Sequence, residues 1–290
     1  GVPSARADIY PFFSRRIGLV NGQEVPINVG LKGTGKAGNT DFGLLYAGTD
    51  NTSFVDSKEF IVARVKQNLF EQSYVGGIFT DGNPALGIEG ETYGVDARLA
   101  TSDFLGTDKN FVVNAYGTKS DNGGSSDNDQ SYGISAHYPN DSYVGELVYR
   151  VIEEDFNPAL GFIQRKNVRM YRAGASYNPR PKNLWGIQQM FHDIFYTQFE
   201  RLDNGHIEST ELHITPLDYH FQSGDAIHAL IDYDRTYERL FEPFQISPGV
   251  ILMPGEYHNN RFKTTIATAR KRRMTAFVNA SYGDFWSGSA

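Results

Sequence analysis

The sequence predicts an all-β protein, an antiparallel up-and-down transmembrane β-barrel of about 14 or more strands, and three observations predict it. From residue 26 to 285 the chain repeats one pattern, apolar residues alternating with small or polar ones and then a cluster of Gly, Asn, Asp, Ser or Pro. The apolar stripes often begin or end in Tyr or Phe. The opposite stripes carry charge in mid-strand, as at Arg64 and Lys66, Asp96 and Arg98, Glu146 and Arg150, and Asp232 and Asp234.

The alternation is cleanest in three segments. In 92–101, Tyr93, Val95, Ala97 and Leu99 share one side and Thr92, Gly94, Asp96 and Arg98 the other. In 131–138 the sets are Tyr132, Ile134, Ala136 and Tyr138 against Ser131, Gly133, Ser135 and His137. In 274–283 they are Met274, Ala276, Val278, Ala280 and Tyr282 against Thr275, Phe277, Asn279, Ser281 and Gly283. Less regular alternation predicts strands over 26–36, 41–49, 60–69, 73–80, 110–118, 143–152, 168–177, 188–200, 207–221, 226–238 and 261–270. Short turn-rich links, such as Asp203-Asn204-Gly205 and Ser223-Gly224-Asp225, make the natural topology a meander. Residues 1–25 form a lead-in segment and 26–290 the barrel domain.

Composition fits a chain built of strands and turns: 17 Tyr, 20 Phe and 30 Gly in 290 residues. The mean hydropathy of -0.43 argues against apolar helices as membrane spans, which need about 20 apolar residues in a row, and the sequence has no such run. A barrel strand escapes that test because only alternate residues face lipid. Aromatic ends on the apolar stripes (Tyr93, Phe111, Tyr143, Tyr149, Tyr171, Tyr177) are what a membrane-interface girdle requires. The competing fold is a soluble barrel or sandwich whose outer face carries the charges; periodicity alone does not separate the two.

The net charge of -7 argues against a nucleic-acid partner. The basic run Arg270–Arg273 lies between strand-like segments and predicts a charged turn. With no cysteine there is no disulfide framework and no thiolate metal site. The first eight residues lack the apolar core of a signal peptide, so the expectation is either a removed leader or an internal fragment, the latter favoured.

Longer connections are expected at 121–130, 153–167 and 241–260. The first, Asp-Asn-Gly-Gly-Ser-Ser-Asp-Asn-Asp-Gln, predicts a solvated loop, since Asp121, Asp127 and Asp129 lack the spacing of a known calcium loop. In the second, Asp155-Phe156-Asn157-Pro158-Ala159-Leu160-Gly161-Phe162 combines an Asn-Pro turn with a glycine between apolar residues, suited to a compact loop tucked into a barrel mouth as a plug. Ser14-Arg15-Arg16 sets two cations side by side; extended, they would face opposite sides, so a structural ion pair is expected rather than a joint anion clamp.

Catalytic patterns are missing. Glu153, Glu154 and Asp155 are adjacent rather than held about 5–10 Å apart around a sugar. Of His206, His213 and His220 only the first and last share strand parity, too far apart along one strand to share a metal. No Gly-x-Ser-x-Gly elbow occurs, and Gly33-Thr-Gly-Lys-Ala-Gly has strands on both flanks where a phosphate loop needs a helix. The expectation is a non-enzyme with no cofactor and no metal site.

Several irregular segments resemble the barrel domain of the DUF5916 family of large bacterial proteins, which often carry an upstream family-9-like carbohydrate-binding module. They are Phe12-Phe13-Ser14-Arg15-Arg16-Ile17-Gly18, Val25-Pro26-Ile27 leading into Gly33-Thr34-Gly35-Lys36, Asp155 to Phe162 with Arg165, Tyr177-Asn178-Pro179-Arg180-Pro181, and Pro243-Phe244-Gln245-Ile246 followed by Pro254-Gly255-Glu256-Tyr257. The resemblance implies the outer membrane of a Gram-negative bacterium, no established reaction, and a barrel incomplete at both ends relative to the family. The predicted function is a solute channel, receptor or membrane anchor with a polar lumen. Its partners would be outer-membrane lipid, a small-molecule or oligosaccharide ligand, and other outer-membrane or periplasmic proteins. Candidate lumen and loop contacts are Arg15, Arg16, Arg64, Lys66, Asp96, Arg98, Glu146, Arg150, Asp155, Asn157, Arg165, Asp232 and Asp234. The rival function is a soluble or periplasmic β-rich carbohydrate-binding module.

Overall fold

The computed structural model describes residues 9–85, 89–124 and 126–289. The opening segment 1–8, from which the leader argument was made, and Ser125 of the 121–130 loop lie outside the described residues. Among those described, the helical pieces are two 3-10 turns, Ser14–Arg16 and Phe104–Gly106, and no helix is long and apolar enough to cross a membrane.

The main sheet has 15 strands. They are β1 Ile27–Ala37, β2 Thr40–Thr49, β3 Glu59–Leu69, β4 Ser73–Asp81, β5 Glu91–Thr101, β6 Phe111–Asp121, β7 Gln130–Pro139, β8 Tyr143–Ile152, β9 Val168–Tyr177, β10 Ile187–Arg201, β11 Ile207–Phe221, β12 Ala226–Leu240, β13 Gly255–Ala267, β14 Phe277–Phe285 and β15 Gly288–Ser289. Each follows its predecessor in the sheet, the meander that the short links dictate. The described ladders are antiparallel, and the register is unbroken where alternation is cleanest, with Val75↔Ala97 through Asp81↔Glu91 and Glu91↔Asp121 through Thr101↔Phe111. The 15 strands of the main sheet agree with the expected number of about 14 or more, the last being a two-residue strand paired with Asp284 and Phe285.

The predicted strands at 261–270 and 274–283 are corrected to Gly255–Ala267 and Phe277–Phe285. Residues 268–276 turn between them, held by reciprocal bonds of Thr268 and Ala276, and Arg270–Arg273 fall in that turn as expected. Three two-stranded ribbons sit outside the main sheet: Ile9–Tyr10 with Phe162–Ile163, Leu19–Val20 with Gln23–Glu24, and Phe244–Ser247 with Val250–Leu252.

The chain divides into two compact units, Pro3–Ala136 with Arg150–Val168 and His137–Tyr149 with Arg169–Ala290. In the first, the buried cluster Ala47, Phe60, Val62 and Leu160 packs with Phe12, Ile17 and Leu45. Two of these residues are on β2, two on β3, and Leu160 comes from the 153–167 connection.

Along parts of several strands the apolar side chains are the exposed ones and polar side chains the buried ones. On β5, Val95 is 67% exposed while Thr92 is fully buried. On β8, Leu147 is 63% exposed and Glu146 only 8%. Phe42, Leu44, Val65, Tyr93, Leu99, Tyr132, Ile134 and Ile194 join the exposed apolar face, while Thr118, Ser120, Ser131 and Thr197 are buried.

Candidate functional site

In the first unit the buried face is charged along its middle and apolar toward one end. Lys66 and Asp41 stand directly opposite on β3 and β2, 3.0 Å apart, and Asn68 donates to the same carboxylate at 2.8 Å. Arg64 makes a two-pronged pair with Asp96, its Nη2 2.9 Å from Oδ2, although β4 lies between their strands. Gly76 on β4 is what lets the guanidinium cross: a Cβ there would meet Arg64 Nη2 at 2.7 Å. Arg98 reaches Asn114 Oδ1 at 3.4 Å, and Asn114 reaches Ser135 at 3.3 Å. These hydrogen-bonded charges bridge three or more strands.

Above them sits the Asp155–Phe162 segment. Phe156, Pro158, Ala159, Leu160 and Gly161 are buried. Asn157 N donates to Ser120 Oγ at 2.9 Å, Asn122 donates to Asn157 O at 3.1 Å, and Ser126 Oγ donates to Asp155 at 2.6 Å. The lead-in chain clasps it from the other side, through the Ile9–Tyr10 ribbon and through Phe13 N donating to Leu160 O at 2.7 Å. Gly161 has no room for a side chain, since a Cβ would lie 2.1 Å from Tyr10 O. Between the charged ladder and the lead-in chain remains a cavity of about 360 Å³, lined by Arg64, Asp96, Tyr116, Thr118 and Arg150 with Ile9 and Pro11. Arg165 is half-buried farther along the same connection.

In the second unit, Glu146 on β8 pairs with Arg172 on β9, and both side chains are nearly buried. Arg172 also donates to Thr197 at 2.9 Å and lies over the Phe195 ring, 5.0 Å from its centroid. Farther along, β11 and β12 bring His213 Nδ1 to 2.7 Å from Asp234 and 3.3 Å from Asp232. Thr215 Oγ1 is 3.0 Å from His213 Nε2 and 3.3 Å from Asp232, and Lys263 on β13 reaches Asp234. A second group, Asp218, His220 and His228, lies by the 222–225 turn. There, hydrogen bonds from the Ser223 hydroxyl and the Ala269 amide, with Arg272 beside it, hold the Asp225 carboxyl below its usual range.

The candidate residues thus fall into groups. Arg64, Lys66, Asp96, Arg98 and Arg150 gather on one buried face, Glu146 on another, and Asp232 with Asp234 at a third place. Asp155 and Asn157 serve the folded-in segment. Arg15 and Arg16 are corrected: they lie in a 3-10 turn, exposed, and among the described residues neither has an ion-pair partner. The turn replaces the extended chain the ion-pair expectation assumed. Glu153 and Asp155 are each taken up locally, by Gln130 N and by Ser126, with no converging pair. Of the calcium candidates, Asp129 pairs with Lys119 at 3.3 Å and Asp121 caps Gly123 at 3.0 Å.

Sequence reasoning missed the partners Asp41, Arg172, His213 and Lys263, and the whole Asp218 group. Strand parity places residues on faces but not opposite one another, and the registers of β11 with β12 and of β10 with β11 contain bulges that parity cannot foresee. No family model, no curated protein and no solved structure matches the chain.

Proposed function

We propose that this chain is an outer-membrane β-barrel protein whose strands present their apolar face to lipid and their charged face to a polar lumen. One observation carries the reading: the apolar face is the exposed one, with Val95 67% and Leu147 63% accessible against 0% for Thr92 and 8% for Glu146. Exposed apolar area on that scale calls for lipid or a partner, and strand alternation with aromatic ends is how a barrel meets a bilayer. Stacked or tilted outward aromatic pairs, Tyr143–Tyr177 at 5.0 Å and Phe79–Tyr93 at 5.3 Å, supply the amphipathic rings suited to the headgroup level.

In this reading the Asp155–Phe162 segment is a plug, and the cavity between the charged ladder and the lead-in chain receives a solute. At about 360 Å³ it has room for a small molecule, with a mostly apolar lining into which the Arg64–Asp96 pair, Arg150 and the Tyr116 hydroxyl bring a few polar groups. A sugar-sized ligand meets those requirements, so the protein acts as a solute channel or receptor at the bacterial outer membrane.

The test is membrane fractionation of the parent protein, followed by heat-modifiable gel migration of this chain in detergent. Recovery in the outer membrane with a fast-migrating unheated band is the expected result. A monomeric chain that stays folded without detergent overturns it.

A further inference from the structure

Among the described residues of the second unit, two clusters bring three His and Asp side chains together, and they differ in what neutralises them. In the His213 group the Lys263 ammonium sits on Asp234, while Thr215 contacts both His213 and Asp232. In the Asp218 group, among the described residues, no Lys or Arg pairs with the carboxylate. Asp218 is only 8% exposed, and its Oδ1 accepts no hydrogen bond. The nearest nitrogen, His220 Nε2, is 3.2 Å away but not aligned to donate. His228 Nδ1 stands 3.6 Å from the other oxygen. A buried carboxylate oxygen without a donor lacks the partner that its burial demands.

The three ligand atoms lie within 4.8 Å of one another. Donors around a tetrahedral ion with bonds near 2.0–2.1 Å are about 3.4 Å apart; the two imidazole nitrogens lie 3.2 and 3.6 Å from the two oxygens of Asp218, so small side-chain rotations bring the three donors to that spacing. We infer that Asp218, His220 and His228 form a binding site for a divalent transition-metal ion of the zinc class, with three protein ligands and one open position.

Local structure builds the site. Asp218 and His220 are two apart on β11 and so share a face, and the tight 222–225 turn returns β12 in register, with His220↔Ala226 and Tyr219↔Ile227, bringing His228 alongside. The two imidazoles meet edge to face, centroids 4.8 Å apart at 87°, and the Phe191 ring braces His220 at 4.8 Å. Both imidazole side chains are about two-fifths exposed, which leaves a route for the ion. Two nitrogens and one oxygen suit zinc and its neighbours; calcium and magnesium require oxygen donors. The site does not depend on the membrane reading.

The experiment is calorimetric titration of the full chain, without a histidine tag and in detergent if folding requires it, with zinc chloride alone. The expected result is one zinc per chain for the native protein and for His213→Ala. The double variant His220→Ala/His228→Ala, shown folded by a circular dichroism spectrum like that of the native chain, loses that binding. Asp218→Asn loses it as well. Absence of binding to the native chain, unchanged stoichiometry in the double variant, or loss of binding in His213→Ala each overturns the assignment.

Discussion

The buried faces of both units carry ion pairs, but among the described residues only the first is also covered by a folded-in stretch of chain. In the first, a folded-in stretch of chain covers part of the face with Phe156, Pro158, Ala159 and Leu160, and the exposed ends of its backbone are answered by Ser120, Asn122 and Phe13. In the second, side chains from the strands themselves fill the face: Glu146 with Arg172, Asp234 with His213 and Lys263, Asp218 with two histidines. A sheet with polar groups on its buried face can satisfy them with backbone brought from elsewhere or with opposite charges. The first solution seals and the second leaves chemistry in place.

That contrast can be broken experimentally, most severely at the folded-in segment. Phe156→Ala removes a fully buried ring and should cost about 4 kcal/mol in denaturant unfolding of the first unit. A loss under about 1 kcal/mol would mean the segment is a dispensable cover. Next, Glu146→Ala removes a nearly buried carboxylate from the Arg172 guanidinium and should cost about 3 kcal/mol. Replacing both by apolar residues should recover much of it, and failure to recover would show the pair to be more than mutual neutralisation. Val95→Arg, on the exposed apolar face, is expected to cost about 2–4 kcal/mol in lipid. The same change costs within about 0.5 kcal/mol if that face meets water.

The smallest effect is on pH. Asp141 lies in the link between β7 and β8, where two hydrogen bonds from Arg180, at 2.9 and 2.8 Å, hold its carboxyl below the usual range. A lowered carboxylate stabilises the fold above its unfolded value and loses that contribution as pH falls through the folded one. Both groups are exposed, so Asp141→Asn should leave stability at pH 7 nearly unchanged and flatten only the acid limb below pH 4. A large loss at pH 7 would show that the link is anchored far more firmly than a surface pair allows.

Much of this was legible from residues in isolation. Tyr93, Val95 and Leu99 against Thr92, Asp96 and Arg98 fix two faces without any partner strand, and the charges on one face signalled that it would be the buried one. The Asn157-Pro158 turn with Gly161 signalled a compact segment. What was not legible depended on pairing. Gly255–Asn260 lacks apolar alternation and becomes strand because Arg235–Leu240 offers it a ladder. Lys66 reads as a charge until Asp41 is set opposite, and His220 reads as isolated until the turn at Gly224 returns His228 beside it. Arg15 and Arg16 misled because a local 3-10 turn overrode the extended conformation.

The ribbon joining Ile9–Tyr10 to Phe162–Ile163 also sets an order of events. It closes a span of about 150 residues, for which the chain gives up about 4–5 kcal/mol of loop entropy before any contact repays it. Hairpins between neighbouring strands close spans of a few residues and form first. The clasp therefore fastens last, after β1 to β8 are in hand, and the nascent sheet passes through a stage in which the Arg64–Asp96 ladder stands open to solvent.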